Sequence, residues 1–189
     1  AVVSRGLGDV YKRQVMHKTQ SHRRYLASSR FVRVLGTKRA MEKIVNDFVV
    51  NVATANGTGS QSSNLIILHS MIEMGVPVSG KNLFPSNISG LPTWFIIRAS
   101  DRGYQAPGDG TNIQILMNKD TWIKDLEGLE PGTIVVYNED VKMPVERDDC
   151  VLLGMPMTKM ARKINPKLGR LIANMYYVGA VAHLLGVDE

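Results

Sequence analysis

The residues best suited to chemistry in this chain sit in one short segment, Asn56-Gly57-Thr58-Gly59-Ser60-Gln61. It follows a valine-rich apolar run, Phe48 to Thr54. It precedes a stretch with Leu65, Leu68, Met71 and Ile72 at helical spacing that stops at Gly75. The order reads strand, glycine loop, helix. Such a turn presents backbone N–H groups and a helix N-terminus to a phosphate or another anion. The loop reads GTGSQS and lacks the third glycine of a dinucleotide fingerprint, and a GxG after a strand is also the pattern of an ordinary tight turn. The second polar stretch runs from Ser79 to Thr93, with Gly80, Gly90, Pro85 and Pro92. The sequence predicts a long loop here, leading into an apolar strand from Trp94 to Ala99. Lys81 can meet a phosphate or carboxylate without fixed geometry. Gln61, Asn82, Ser86 and Asn87 offer uncharged hydrogen bonds. Candidate ligand-facing residues are therefore Gly57, Thr58, Gly59, Ser60, Gln61, Lys81, Asn82, Ser86 and Asn87.

Other chemistry finds less support. Ser60, Ser79 and Ser86 have no histidine at a predictable distance, so no catalytic residue is assigned. His69 and His183 fall in predicted helices without a partner at ligand spacing. Cys150 is the one cysteine, which rules out a disulfide framework, a CxxC zinc site and a set of four thiolates for an iron–sulfur cluster. No metal site is expected in this chain. Gly108-Asp109-Gly110, separated by 27 residues from Asn138, has the spacing of a thiamine-diphosphate signature, whose Asp and Asn hold a magnesium ion. The context argues for a solvated turn instead: Gln105-Ala106-Pro107 precedes the motif where a buried strand should end.

The segments ATANGTGSQ and MGVPVSGKNLFPSNISGLPTWFIIR, long and contiguous, resemble the gamma-type domain of 2-oxoacid:ferredoxin oxidoreductases. The form resembled is the one fused to the front of the alpha subunit of 2-oxoglutarate:ferredoxin oxidoreductase. Weaker resemblance continues to about Glu189, through Asn174-Met175 and the closing HLLG. The resemblance implies an accessory domain of an enzyme that oxidatively decarboxylates 2-oxoglutarate or a related 2-oxoacid. Coenzyme A takes the acyl group, carbon dioxide leaves, and ferredoxin accepts the electrons. It implies thiamine diphosphate, Mg2+ and an iron–sulfur cluster elsewhere in the complex, with none bound by this chain alone. The implied partners are thiamine- and cluster-bearing domains or a beta subunit, and the implied compartment is cytoplasmic. An independent Rossmann-type nucleotide-binding protein is the alternative. It calls for an acidic ribose-binding residue about 20 residues past the glycines, where this chain reads Val76-Pro77-Val78-Ser79-Gly80.

Charge divides the chain. The net charge of +6 comes from 23 basic and 17 acidic residues. Residues 1–40 hold 10 basic and one acidic residue, net +9; residues 41–189 hold 13 and 16, net −3. Ser4 to Gln14, SRGLGDVYKRQ, resembles a translated sequencing adaptor, and Val15 to Ala40 shows no periodicity. Residues 1–40 are expected to be foreign to the domain, which would start at Met41 and form part of a longer chain. A basic nucleic-acid arm and a targeting peptide are the other readings of this segment, and neither nucleic acid nor membrane is expected as a partner. No apolar run is long enough to cross a bilayer.

These residues need a scaffold. Strands are predicted at Ile113–Met117, Thr133–Tyr137 and Cys150–Leu153, and a short helix at Lys119–Glu127. A final helix opens at Asn165-Pro166 and stops at Gly186, with Leu168, Leu171, Ile172, Met175, Val178, Ala182 and Leu185 as its apolar face. Strands alternating with helices imply an α/β, Rossmann-like sandwich with a mainly parallel sheet. The Gly57 turn should lie at the strands' carboxyl edge, beside the Ser79–Thr93 loop.

Overall fold

The structure is a computed structural model that describes residues 46–84, 91–108 and 110–186. The basic segment 1–40, Ser86, Asn87 and Asp109 lie outside the described residues.

Six strands form one sheet: β1 (Asp47–Ala55), β2 (Val78–Leu83), β3 (Pro92–Ser100), β4 (Ile113–Leu116), β5 (Ile134–Asn138) and β6 (Val151–Met155), in the spatial order β2-β3-β1-β4-β5-β6. β1, β4, β5 and β6 pair in parallel, while β3 pairs antiparallel with both β1 and β2. Five strands therefore point the same way and share a carboxyl edge, as the alternating pattern predicts. β1 sits inside the sheet, and Val50, Val52 and Ala53 have no exposed surface. Burial on both faces is why its sequence, DFVVNVATA, is apolar at adjacent positions rather than alternate ones.

The helices are α1 (Ser60–Glu73), α2 (Trp122–Glu127), α3 (Met157–Ile164) and α4 (Gly169–Leu185). Ile67 and Met71 of α1, Met157 and Ala161 of α3, and Ala173, Tyr177, Val181 and Leu184 of α4 pack with Phe48, Val50, Val52, Phe95 and Ile97 in one core. Leu126 of α2 packs on the other face with Ala53, Leu116 and Val135. Arg147 clamps α2 from behind. Its guanidinium donates to the carbonyls of Leu126 (2.6 Å) and Leu129 (3.2 Å) and holds both carboxylate oxygens of Asp149.

Three expectations are corrected. The predicted loop Ser79–Thr93 is mostly strand: Ser79 to Leu83 belong to β2, and Pro92 and Thr93 open β3. Cross-strand pairing from Val78↔Ala99 to Leu83↔Trp94 holds this polar segment extended. Gly80 suits the close packing, because a Cβ there would lie 2.8 Å from Leu68 Cδ2 and 2.9 Å from Phe95 Cζ. Second, α3 was not anticipated. Third, the final helix begins at Gly169, not at Asn165-Pro166. The Asn165 carboxamide instead accepts from the backbone N–H of Lys167 (3.0 Å) and Leu168 (3.2 Å), capping the turn between α3 and α4.

Candidate functional site

Between β1 and α1 the chain reverses over four residues, and Gly57 and Gly59 both take positive φ, 82° and 79°. L side chains rarely tolerate that backbone, which explains glycine at both places. The Thr58 backbone N–H (3.4 Å) and hydroxyl (2.8 Å) both donate to the Ala55 carbonyl, closing the turn on itself. Thr54 Oγ1 and Ser60 Oγ lie 2.8 Å apart across its base, both buried. α1 starts at Ser60 with Gly59 as its N-cap. No side chain caps that end, and its first turn carries no acid. The amide dipoles there meet no carboxylate from the helix's own first turn.

The turn is anchored from three sides. Asn174 of α4 donates to the Thr58 carbonyl at 3.0 Å. Tyr177, one turn further along, donates to Asn64 Oδ1 at 2.9 Å and reaches the Ser60 carbonyl at 3.5 Å. Burial pushes its phenol well above the ordinary range. Asn118, beyond β4, donates to the Thr54 carbonyl at 3.4 Å. Asn174, Tyr177 and Asn118 were not among the candidates. Asn174 left two signals, an amide in the apolar middle of the final helix and its place in the resemblance at Asn174-Met175.

The carboxyl end of β2 meets this turn. The Asn82 amide donates to Gln61 Oε1, and the single Thr93 hydroxyl proton is shared between the Leu83 carbonyl at 3.1 Å and Asn82 Oδ1 at 3.4 Å. The Asn56 N–H donates to the Leu91 carbonyl at 2.8 Å. Thr93, Asn82 and Gln61 thus form a polar chain that orients the Gln61 amide beside the first turn of α1. Gly57 and Gln61 are exposed, Thr58, Gly59 and Asn82 are half-buried, and Ser60 is buried with its hydroxyl engaged by Thr54.

Lys81 stands apart. Gly80 faces Leu68 of α1 and Asn82 reaches Gln61 of α1, so strand alternation turns Ser79, Lys81 and Leu83 to the opposite side of the sheet. Lys81 is exposed there, on an edge strand.

The thiamine-type motif does not converge. Gly110 precedes β4 and Asn138 ends β5, and these strands run parallel with Ile113 opposite Ile134. The length of β5 alone, about 13 Å, keeps the two ends apart. Asn138 is buried and engaged, donating to Thr158 Oγ1 at 2.8 Å and accepting from the Asp140 N–H at 3.3 Å. Asp109 lies outside the described residues, and Gly110 and Asn138 alone offer no shared cation site. His69 and His183 are exposed on helix surfaces. Cys150 is half-buried, and burial pushes its thiol pKa up.

The apolar face expected on α4 is also redistributed. Ala173, Asn174, Tyr177, Val181 and Leu184 face the core, while Leu168 (52 %), Leu171 (53 %) and Met175 (40 %) are exposed. Leu171 lies against the glycine turn, since a Cβ on Gly59 would sit 3.2 Å from its Cγ. An apolar stripe thus borders the candidate site.

Comparison with known proteins bears on this arrangement. The chain resembles a Magnetococcus marinus 2-oxoglutarate:ferredoxin oxidoreductase, solved with 2-oxoglutarate, coenzyme A and succinyl-CoA bound, at 25% identity and a TM-score of 0.67. That match covers 77% of this chain and 25% of the enzyme's chain. A Thermotoga maritima pyruvate oxidoreductase subunit matches with a TM-score of 0.59 at 17% identity, over 77% of this chain and 80% of the subunit. The gamma subunit of a Geobacter sulfurreducens keto/oxoacid ferredoxin oxidoreductase matches with a TM-score of 0.61 at 15% identity, over 75% of this chain and 79% of that one. These last two share the fold. No curated protein sequence matches. A family model described as pyruvate ferredoxin/flavodoxin oxidoreductase matches residues 49–189, which span the sheet, the glycine turn and α4. The chain belongs to the pyruvate ferredoxin/flavodoxin oxidoreductase family.

Proposed function

We propose that this chain is the gamma-type accessory domain of a 2-oxoacid:ferredoxin oxidoreductase, acting on 2-oxoglutarate or a related 2-oxoacid with coenzyme A. The observation that carries this is its similarity, over 77% of its length, to an enzyme holding 2-oxoglutarate, coenzyme A and succinyl-CoA. In the complete enzyme, carbon–carbon cleavage releases carbon dioxide, coenzyme A takes the acyl group, and two electrons leave singly to ferredoxin. Thiamine diphosphate, held by other parts of the complex with Mg2+, supplies the carbanion-stabilising chemistry, and iron–sulfur clusters outside this chain carry the electrons. The compartment proposed is the cytoplasm. Residues 41–189 form the working domain, and residues 1–40 add nothing to it.

The domain's own residues bind, orient and exclude water. The uncapped first turn of α1 offers N–H groups to an anionic group, and the Gln61–Asn82–Thr93 chain adds fixed amides beside it. Leu168, Leu171 and Met175 provide the apolar surface that packs on the thiamine-bearing part and closes the site to solvent. Ser86 and Asn87 are further proposed contacts to the ligand. Lys81, on the far side of the edge strand, reaches an anion only by curling its stem around that edge.

Reconstitution tests the reading. The chain alone is expected to be colourless and inactive. With its thiamine- and cluster-bearing partners it should support reduction of ferredoxin by 2-oxoglutarate plus coenzyme A. In that complex Gln61→Ala and Asn82→Ala should each raise KM for coenzyme A or the 2-oxoacid several-fold, with assembly intact. A brown isolated chain containing iron and sulfide, or unchanged kinetics in both variants, overturns the assignment.

A further inference from the structure

The sheet has two edges, β2 and β6, and they are built differently. β2, VSGKNL, carries an exposed lysine, two other polar side chains and a glycine. Such residues keep an edge from joining another strand. β6, VLLGM, carries no polar side chain, no charge and no proline. Val151 is exposed and the other four residues are half-buried. The Val151 N–H bonds the Thr133 carbonyl, and the parallel pairing to β5 repeats that pattern at alternate residues. Val151, Leu153 and Met155 thus turn their N–H groups to β5, and the backbone N–H and C=O of Leu152 and Gly154 point outward. Among the described residues, no hydrogen bond engages those outward groups. Charge differs between the two ends of the strand. Residues 146–149, before β6, hold three acids and one base, net −2. At its carboxyl end, residues 139–142 and 157–163 hold Glu139 and Asp140 against Lys142, Lys159, Arg162 and Lys163, net +2.

We propose that β6 is a self-association edge, which pairs antiparallel with β6 of a second copy of this chain about a two-fold axis at Leu153 and joins the two sheets into one. In that register Leu152 of each copy faces Gly154 of the other, and every outward N–H and C=O finds a partner. The net −2 end of each strand then lies beside the net +2 end of the other, once on each side of the axis. Asp148 is brought towards Lys159 of the second copy. Both are exposed, and among the described residues no ion pair engages either. A parallel pair would set like charge beside like. The complementarity is internal to this one chain, which is why the occupant is a second copy rather than a foreign strand. β4 and β5 lie between β6 and β1, so the pairing leaves the glycine turn open.

Sedimentation equilibrium of the full chain is expected to show a reversible monomer–dimer equilibrium. Leu152→Pro removes the outward N–H while leaving the ladder to β5 intact, and should weaken the dimer about tenfold. Asp148→Lys should weaken it several-fold at low salt. Adding Lys159→Glu to the same chain should restore it, which a role in folding alone would not do. Register is read by cross-linking in a Cys150→Ser background. Leu153→Cys meets itself across the axis with about 4.5 Å between Cα atoms, within disulfide reach, and should oxidise to a covalent dimer. Val151→Cys, which faces Met155 of the second copy, should not. A monomer at every concentration, a Leu152→Pro dimer as tight as the parent's, or equal cross-linking by the two cysteine variants overturns the proposal. So does a monomer whose Leu152 and Gly154 amides gain exchange protection only when the thiamine-bearing partner is added, because the edge then belongs to a foreign strand.

Discussion

Tyr177 braces the start of α1, next to the glycine turn, from the far end of the chain. Its hydroxyl is the buried donor to Asn64 Oδ1. Tyr177→Phe leaves that acceptor unpaired in the core and should cost about 1–3 kcal/mol in unfolding free energy. The same change alters alkaline behaviour. Burial raises the phenol's pKa in the folded protein above its ordinary value of about 10. Its stabilising contribution is complete below that pH. It falls as pH rises further, because the unfolded chain releases the proton first. Denaturant titrations from pH 9 to 11 should show a shallower alkaline loss in the Phe variant. Gly57→Val should be worse for the turn, since φ of 82° excludes a β-branched side chain. The glycines were legible in the sequence because their need is local. Tyr177 and Asn118 were not, since each reaches its partner across tens of residues of chain and leaves no periodic trace.

At the scale of elements, β2 shows how pairing overrides composition. VSGKNL has a glycine and three other polar residues among six, and only the ladder to β3 makes it a strand. Gly80→Val should drive a side chain into Leu68 and Phe95, costing about 1–3 kcal/mol by overpacking and lowering the thermal midpoint. β1 was legible for the opposite reason, being buried on both faces and mostly apolar. The face of α4 was partly legible: Ile172, Val178 and Leu185 pack on the core as expected, but Leu171 and Met175, which look like core residues in a sequence, are exposed, while the small Ala173 and polar Asn174 take the buried side. On α2, the Arg147 clamp predicts a pH response. The Arg147 hydrogen bond holds Asp149 below the ordinary carboxylate range. The pair's contribution is therefore present above pH 3.8 and lost as pH falls through the depressed value. Acid unfolding curves of Asp149→Asn and the parent should differ near neutrality and converge at low pH.

For the whole molecule, residues 1–40 lack apolar periodicity and carry a net +9 against −3 for the rest of the chain, and the core of the described residues runs from Phe48 to Leu184. A chain beginning at Met41 should therefore unfold at the same temperature as the full chain. A drop of several degrees would mean the basic segment packs on the domain. The mainly parallel sheet was readable because strand–loop–helix order repeats along the chain. The reversal of β3 was not, because nothing in TWFIIRAS encodes which neighbour it joins.

That reversal has a consequence for synthesis. β1 emerges first, yet one edge pairs with β3, through Ser100, and the other with β4, through Leu116. During translation DFVVNVATA must wait for 61 further residues after Ala55 before its second ladder can form, about 3–12 s at typical elongation rates. Until then an apolar strand with at least one open edge is exposed on the nascent chain, which makes β1 the segment a ribosome-associated chaperone should hold.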